Sequence, residues 1–529
     1  MSRWLATATH RFNRLGFLAS VVVLFAAIPL LFVIANALQL SGERWLSLWT
    51  GRLPSLLWNT LVLAIAVAFG CFLIGVSCAW LIARRDFAGR RVALWLLVLP
   101  LTIPTYVFAY IYSSLLSRDG WIGALWFRVF SRDVPDLYNL WGVSLILSLA
   151  GFSYVFLLVR GALNQSSRRL DEAARIHGAN PVEVFTRVQL PMLRPAIAAG
   201  LAVVVLHVLS DFGAVSMLRY QTFTLSIYTQ MNGRFDYQAA AALSLVLVSL
   251  SVTFLVVERF FRSRQRYYLS GRSGRYVPRR ASRTEQFFIW AWLGTVVFFS
   301  FALPVAWMAV WSWDAWISNH IGPAFWRYTI NSGLVSFSAA TIAVVLAFPV
   351  GLFHSRVRSW FSQGLLHVSN VGFALPGPVV ALGVTVFVLS QLPALYGGFA
   401  VLIMAVVVRF LPLAVQSQEA AMQQLTPSIE QAGRILGAGP IENLWRVTVP
   451  MIRGGMLSAW VLVFIDVLKE LPATLLLRPI GFDTLPVRIW IEASEEMLEL
   501  AAPAALMLVV GTLPAIWVMM QGEVGREER

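Results

Sequence analysis

The sequence predicts an all-α polytopic membrane protein built from two tandem, homologous six-helix halves, about twelve transmembrane helices in all. Three observations carry that expectation. Of the 529 residues, 58% are hydrophobic and only 13% are charged, and the mean hydropathy of +0.72 excludes an ordinary soluble globular class. The apolar residues gather into stretches long enough to cross about 30 Å of hydrocarbon. A polar segment then occurs twice, at Ala173 to Arg194 and at Ala432 to Arg453.

In chain order, the first half offers apolar stretches at Leu15 to Leu38, Leu56 to Ala83, Val92 to Leu115, Leu140 to Val159, Pro195 to Leu218 and Ala239 to Val257. The second half offers Phe287 to Trp311, Gly333 to Phe353, Leu365 to Leu389, Ala394 to Leu413, Gly454 to Leu476 and Leu500 to Met519. Ala35-Asn36-Ala37 has the form of a signal cleavage site, but the length of the first stretch favours a retained helix. Pro100, Pro104, Pro376 and Pro378 interrupt apolar sequence, where they either kink helices around a pathway or serve packing.

Aligned without gaps, the repeated segments share Arg175 with Arg434, Gly178 with Gly437, Pro181 with Pro440, Glu183 with Glu442, Arg187 with Arg446 and Pro191 with Pro450. The same frame sets Leu209 to Arg219 opposite Leu468 to Arg478. Upstream, Asn59 and Pro104 match Asn331 and Pro376 at a different offset, which puts extra residues in the first half between Ser117 and Tyr138.

Arginine sets the expected orientation, since short loops rich in Arg stay in the cytoplasm. Arg3, Arg11 and Arg14, the group Arg84, Arg85, Arg90 and Arg91, the stretch Arg160 to Arg194, and Arg259 to Arg283 all fall on one side, so both termini are expected there. The net charge of +15 and pI near 10.5 follow from that pattern and call for no nucleic acid. Cys71 and Cys78 have neither metal-ligand nor redox spacing and read as packing residues.

The chain therefore divides into residues 1–52 (cytoplasmic segment and first transmembrane helix) and 53–258 (first core). An Arg-rich cytoplasmic linker follows at 259–285, which also has the composition to attract anionic lipid. Residues 286–328 supply the seventh helix and a periplasmic loop, 329–520 the second core, and 521–529 a cytoplasmic tail.

Local chemistry gives each repeated loop a shape. A helix over Ser167 to His177 stops at Gly178, which can take a left-handed turn. Asn180 then caps a short second helix, with Pro181 at its first position and Glu183 placed to close a capping box. The second copy keeps Pro440 and Glu442, with Gly439 as cap. Phe185 and Val188, like Leu444 and Val447, give each short helix an apolar side. One such knob could simply fold back on its own helices, whereas two on one side suit a two-fold partner with a docking groove for each.

Glu172-Ala173-Ala174, Gly178, Val188 and Leu190-Pro191 resemble the EAA loop of the membrane subunits of binding-protein-dependent ABC importers, with Val in place of Ile. The second copy departs from the pattern, because Gln431-Ala432-Gly433 stands where EAA is expected, while Gly437 and Val449-Pro450 are retained. The resemblance spans Leu53 to Val257 and Thr329 to Met519. Asp211-Phe212-Gly213 and the run Lys469 to Leu475 with Leu477-Arg478-Pro479 are similar to the two halves of fused ferric-iron ABC permeases. Fused thiamine permeases share the layout, and polyamine and phosphonate permeases share the loop.

The resemblance implies a type I importer-like permease in the cell inner membrane. Two copies of a cytoplasmic ATPase and one periplasmic solute-binding protein would be its partners, with ATP and Mg bound on the ATPase and no cofactor on this chain. It assigns one ATPase-coupling loop to Glu172, Ala173, Ala174, Gly178, Pro181, Glu183, Phe185, Arg187 and Pro191. The other comprises Gln431, Ala432, Gly433, Gly437, Pro440, Glu442, Leu444, Arg446 and Pro450. The chain itself carries no phosphate-binding GxxxxGK[ST] loop, and Lys469 is its sole lysine.

Ionisable residues within apolar sequence mark a candidate translocation path, because a charge in the bilayer is expensive and normally faces a partner or a watery cavity. His207 and Asp211 lie opposite Asp466 and Glu470, with Lys469 beside them, and each pair is spaced to share a helix face. On one reading Asp211 and Glu470 offer a passing cation a weak oxygen environment, with no stable metal site. On the other the groups pair internally, His207 with Asp211 and Lys469 with Asp466 or Glu470, or lie at the aqueous helix end. Glu492, Glu495, Glu496 and Glu499 form an acidic segment that suits either a basic partner face or solvent. A rival from another class is a gradient-driven secondary transporter, in which these acids and His207 would be ion sites; a channel is a third.

Overall fold

The structure, a computed structural model, describes residues 2–165, 174, 176–180, 183–263, 278–357, 359–370, 372 and 375–528. Among the described residues, 10 helices are long and apolar enough to cross a membrane. They coincide with ten of the twelve expected stretches. Many of their large apolar side chains, such as Trp58, Ile65, Phe69 and Val345, are exposed, as lipid-facing positions must be.

The other two expected spans are broken, and proline is the reason. Val92 to Leu115 divides into Arg90–Leu96, a 3-10 turn at Leu99–Thr102 and a new helix at Thr105–Leu116. Across this break the chain bends by 94°. Leu365 to Leu389 divides into Trp360–Ser369 and Gly377–Gln391. Pro104 and Pro376 have no N–H to continue a helix and push the preceding residue out of the helical region; Ile103 is accordingly extended, at φ −92 and ψ 119. Hydropathy cannot register this, since the apolar run continues through the break.

The fifth and eleventh spans also end sooner than expected. Leu190–Ser210 stops before Asp211, and a short helix follows at Gly213–Met217. Val449–Leu468 stops before Lys469, and Pro472–Leu477 follows.

Within the first half, Leu53–Arg84, Leu140–Gln165 and Leu190–Ser210 pack into a three-helix core; Pro323–Arg356, Phe399–Gln423 and Val449–Leu468 form its counterpart. Small residues allow the close approach, for a Cβ on Gly200 would lie 2.9 Å from the Val155 backbone. Two of the remaining helices reach across to the other half. The first, Ser2–Leu38, lies on the second half, where Phe32 meets Phe387 edge-on at 5.1 Å. The seventh reaches the first half: Trp292 donates to Ser77 at 3.1 Å, Tyr112 donates to the Phe299 carbonyl, and Trp311 stacks on Tyr110.

The internal symmetry extends to helix starts. Leu140 and Phe399, Leu190 and Val449, and Gly213 and Pro472 begin equivalent helices in the frame of the repeated loops. Thr105 and Gly377 do so in the upstream frame. The extra first-half residues form the helix Trp121–Phe130, opposite which the second half has only a 3-10 turn at Pro393–Leu395.

The end of the linker is anchored. Arg85–Asp86 pairs in parallel with Arg279–Arg280, Trp290 donates to the Ala88 carbonyl at 3.0 Å, and Ser282 with Glu285 forms a capping box for the next helix. Cys71 and Cys78 are free, buried thiols within the packed core.

Candidate functional site: paired loops and a central cavity

At one end of the bundle the two repeated loops fold alike. Glu172, Ala173, Arg175 and Pro181 lie outside the described residues. Gly178 and Gly437 adopt φ +85 and +89, the left-handed turn their sequence position calls for. The Ala179 N–H reaches the Ala174 carbonyl at 3.0 Å and the Ala438 N–H reaches that of Gly433 at 3.1 Å, the same closing bond in both copies. In the first loop Asn180 and Glu183 form the expected reciprocal capping box, at 2.9 and 3.0 Å. The second loop has no box, since Gly439 carries no side chain, but keeps the backbone bond of the first: Asn443 N–H reaches the Gly439 carbonyl at 2.8 Å, as Val184 N–H reaches that of Asn180 at 2.9 Å.

Each short helix continues as a π-helical turn, Val184–Gln189 and Leu444–Thr448, just ahead of Pro191 and Pro450. A proline ring cannot accommodate the carbonyl four residues back, so the backbone widens there. Glu183 pairs with Arg187 at 3.5 Å and Glu442 with Arg446 at 2.9 Å, so both arginines stand along their own helix. Phe185 and Leu444 are half-buried; Phe185 meets Trp80 edge-on at 5.9 Å.

The departures of the second loop from the first have physical correlates. A Cβ on Gly433 would lie 2.4 Å from the Asn443 side chain, so Gly433 replaces Ala174 where Asn443 replaces Val184. Gln431 and Ala432 are exposed. Among the described residues the second loop also presents Ile435, Leu436, Ile441 and Trp445 to the outside, and the first presents Ile176.

Between the halves lies a cavity of about 420 Å³ that receives every ionisable residue of the expected path. The face-sharing arrangement is corrected, however. Asp211 follows the end of its helix with an extended backbone, ψ 125, and its carboxylate accepts the N–H groups of Ala214 and Val215 at 3.0 and 3.2 Å. It thereby caps the next short helix, and Thr105 donates to its other oxygen at 2.5 Å. Glu470 likewise lies beyond its helix and accepts the Ala473 N–H at 2.9 Å. An acid that can cap the next segment competes with continuation of its own helix.

Internal pairing is found in part. Lys469 lies 3.6 Å from Asp466 and also donates to the Leu101 carbonyl at 3.1 Å, crossing to the broken helix of the first half. Glu470 pairs instead with Arg409, at 2.5 Å, and both are largely buried. His207 meets the ring of Tyr154 at 5.6 Å rather than Asp211. Sequence reasoning passed over Arg409, Thr105 and Gly377. The signal for Arg409 was present, a single arginine inside the apolar stretch Ala394 to Leu413.

Among the described residues no group of three or more His, Cys, Asp or Glu side chains is placed to hold a metal ion. The acidic segment near the last helix is corrected too: Glu492 is buried and pairs with Arg488 at 2.6 Å, leaving Glu495, Glu496 and Glu499 exposed.

Comparison with known proteins gives one family model, binding-protein-dependent transport system inner membrane component, matching twice, at residues 71–267 and 343–520. The Fe(3+)-transport system permease protein FbpB 2 of Haemophilus influenzae is 32% identical over 488 residues, 91% of this chain and 93% of that protein. The ferric transport system permease protein FbpB of Actinobacillus pleuropneumoniae is 23% identical over 413 residues, 74% of this chain and 60% of that protein. The sulfate transport system permease protein CysT of Escherichia coli is 28% identical over 250 residues, 46% of this chain but 89% of that protein, so a single-core permease matches about half of the present one.

Proposed function

The chain belongs to the family of binding-protein-dependent transport system inner membrane components, and from that premise we propose that it is the fused permease of an ATP-driven importer of ferric iron. It is a multi-pass inner-membrane protein. Residues 53–258 and 329–520 act as the two permease cores, joined by the linker 259–285, with both termini in the cytoplasm. The observation that carries the reading is the coincidence of two matched loops at one end with a charged cavity between the halves. Two copies of a separate ATPase each receive one loop, Glu172 to Arg187 or Gln431 to Arg446, and bind the ATP and Mg. A periplasmic binding protein delivers the passenger at the opposite end.

The chemistry follows from differential binding. Closure of the ATP-bound ATPases draws the loops together, moves the cores and switches the cavity from inward to outward access. Asp211 and Glu470 lend hard carboxylate oxygens to a passing ferric ion. Support for iron comes from the relative that matches 91% of this chain and carries that ion in its name.

The test is uptake of radiolabelled ferric iron and of labelled thiamine by cells with and without the chain, repeated with a catalytically dead ATPase. Iron uptake that needs both the chain and ATP hydrolysis is the expected result. Thiamine uptake would move the substrate, and uptake surviving the dead ATPase would replace the mechanism by a gradient-driven one.

A further inference from the structure

The two halves set a carboxylate at the same level of the cavity and give it different partners. Asp211 receives the neutral hydroxyl of Thr105, and Glu470 receives the guanidinium of Arg409. Both differences trace to equivalent positions. Pro104 and Pro376 cap their helices with nearly the same backbone angles, φ −62 and ψ 150 against φ −58 and ψ 148, so Thr105 corresponds to Gly377. Leu140–Gln165 and Phe399–Gln423 begin in register, so Arg409 corresponds to Ala150.

The guanidinium occupies the space that Gly377 leaves open. A Cβ at Gly377 would lie 2.0 Å from Arg409 Nη1. The second half has thus exchanged a hydroxyl from one helix for a cation from another, and the glycine makes the room. While paired with Glu470, the Arg409 guanidinium carbon also lies 5.2 Å from the centre of the Phe410 ring, which lines the same cavity, so an aromatic face is at hand for the cation when it leaves the carboxylate.

We propose that Arg409 is a tethered counter-cation, which holds Glu470 while the cavity is empty and swings away when a multivalent metal cation passes. This rests on the reading above, that ferric iron traverses this cavity. An uncovered buried carboxylate is costly when the site is vacant and grips a trivalent ion tightly when it is filled. Arginine stays charged at every accessible pH, so it competes permanently for Glu470 and returns as the ion leaves. The first half needs no such competitor, because Thr105, Ala214 and Val215 already satisfy Asp211.

The experiment uses the complete transporter, with its ATPase and binding protein, in proteoliposomes. Uptake of radiolabelled ferric iron is measured together with the iron retained per permease after washing. Arg409→Gln is expected to retain at least tenfold more iron, with kcat and KM both falling, while Arg409→Lys stays near wild type. Arg409→Gln combined with Glu470→Gln is expected to lose the extra retention. Gly377→Ala keeps every charge but crowds the guanidinium, and it carries the test if Arg409→Gln does not accumulate in the membrane; increased retention is again expected. Unchanged retention in these variants, with transport restored by adding Glu470→Gln, overturns the proposal and leaves Arg409 as a neutraliser of a buried acid. Wild type that takes up no iron overturns this inference together with the iron reading, whereas normal wild-type uptake with unchanged variant retention overturns this inference alone.

Discussion

The first half satisfies its cavity carboxylate with a hydroxyl and two backbone N–H groups, and the second satisfies its own with a guanidinium and one. The loops differ in the opposite sense. There the first copy adds a polar capping box to a backbone bond that both copies make, and the second, without a box, exposes the apolar Ile435, Leu436, Ile441 and Trp445. Duplication has fixed the frame, down to the helix starts and the left-handed glycines, and left the two copies free to specialise inside it. Features held in common are expected to serve movement of the whole, and features that differ are expected to serve the asymmetry of passenger and partner.

The largest effect is expected where the halves agree. Asp in place of Gly178 and Gly437 forces a side chain into φ near +85 to +89 and adds a carboxylate at each knob. The double variant should insert normally and lower ATP-dependent uptake by roughly 100-fold or more, the scale of a lost coupling free energy. Full uptake by this variant would sink the assignment of the loops to ATPase coupling. A loss from one substitution and none from the other would break their equivalence.

Next comes a difference in stability. Glu470→Gln strands the Arg409 cation in a largely buried site, and removing one member of a buried pair costs about 3–5 kcal/mol. Asp211→Asn keeps an oxygen for the Ala214 and Val215 N–H groups and turns its NH2 toward the Thr105 hydroxyl, which can accept it, so about 1 kcal/mol is expected, the ordinary value of a cap. Thermal unfolding of the purified protein in detergent separates the two. Equal losses would mean that the partners of the two acids are interchangeable. Retention of both transport and assembly in the combined variant would remove both acids from the pathway.

These cases indicate what the sequence could and could not reveal. The capping box at Asn180 and Glu183 and the turns at Gly178 and Gly437 were legible, because each depends on residues a few positions apart; the extra residues between Ser117 and Tyr138 were legible from the shift in repeat offset, though not the helix they form. The helix ends before Asp211 and Lys469 were not, since the apolar run continues past them and only the caps that follow reveal the stop. Arg409 and Glu470 lie 61 residues apart, and the Lys469 bond to Leu101 spans 368, so no local pattern joins them. The exchange of the first and seventh helices between halves is also set by side-chain fit, such as Phe32 on Phe387, which hydropathy does not register.

A smaller effect should expose the asymmetry of the loops. Trp445 is exposed and stands where the first loop has Thr186. Under the docking proposal, an exposed aromatic at an interface is a candidate anchor, so Trp445→Thr should weaken ATPase affinity roughly tenfold. Thr186→Ala at the matching position should change it by less than about twofold. Binding of the ATPase to permease in nanodiscs distinguishes them, and equal effects would argue that each groove reads only the shared frame.

The smallest effect returns to a bond both halves keep. Asn59 donates to the Gln221 carbonyl at 3.1 Å, and Asn331 donates to the Asp483 carbonyl at 2.9 Å, each tying a core helix to the segment that follows the cavity acid. One hydrogen bond contributes about 0.5–1.5 kcal/mol net, with more lost when an acceptor is left buried. Asn59→Ala removes a bond in exposed surroundings, where water can replace it, so the low end of that range is expected. The Asn331 bond is partly buried, and its acceptor belongs to the residue that also pairs with Arg478, so Asn331→Ala should fall at the high end. If the common frame governs and burial alone sets the size, both variants lose stability in that order while iron uptake per folded molecule stays the same. A reversed order, or an uptake defect confined to one of them, would show that this shared bond too has been adapted to one half.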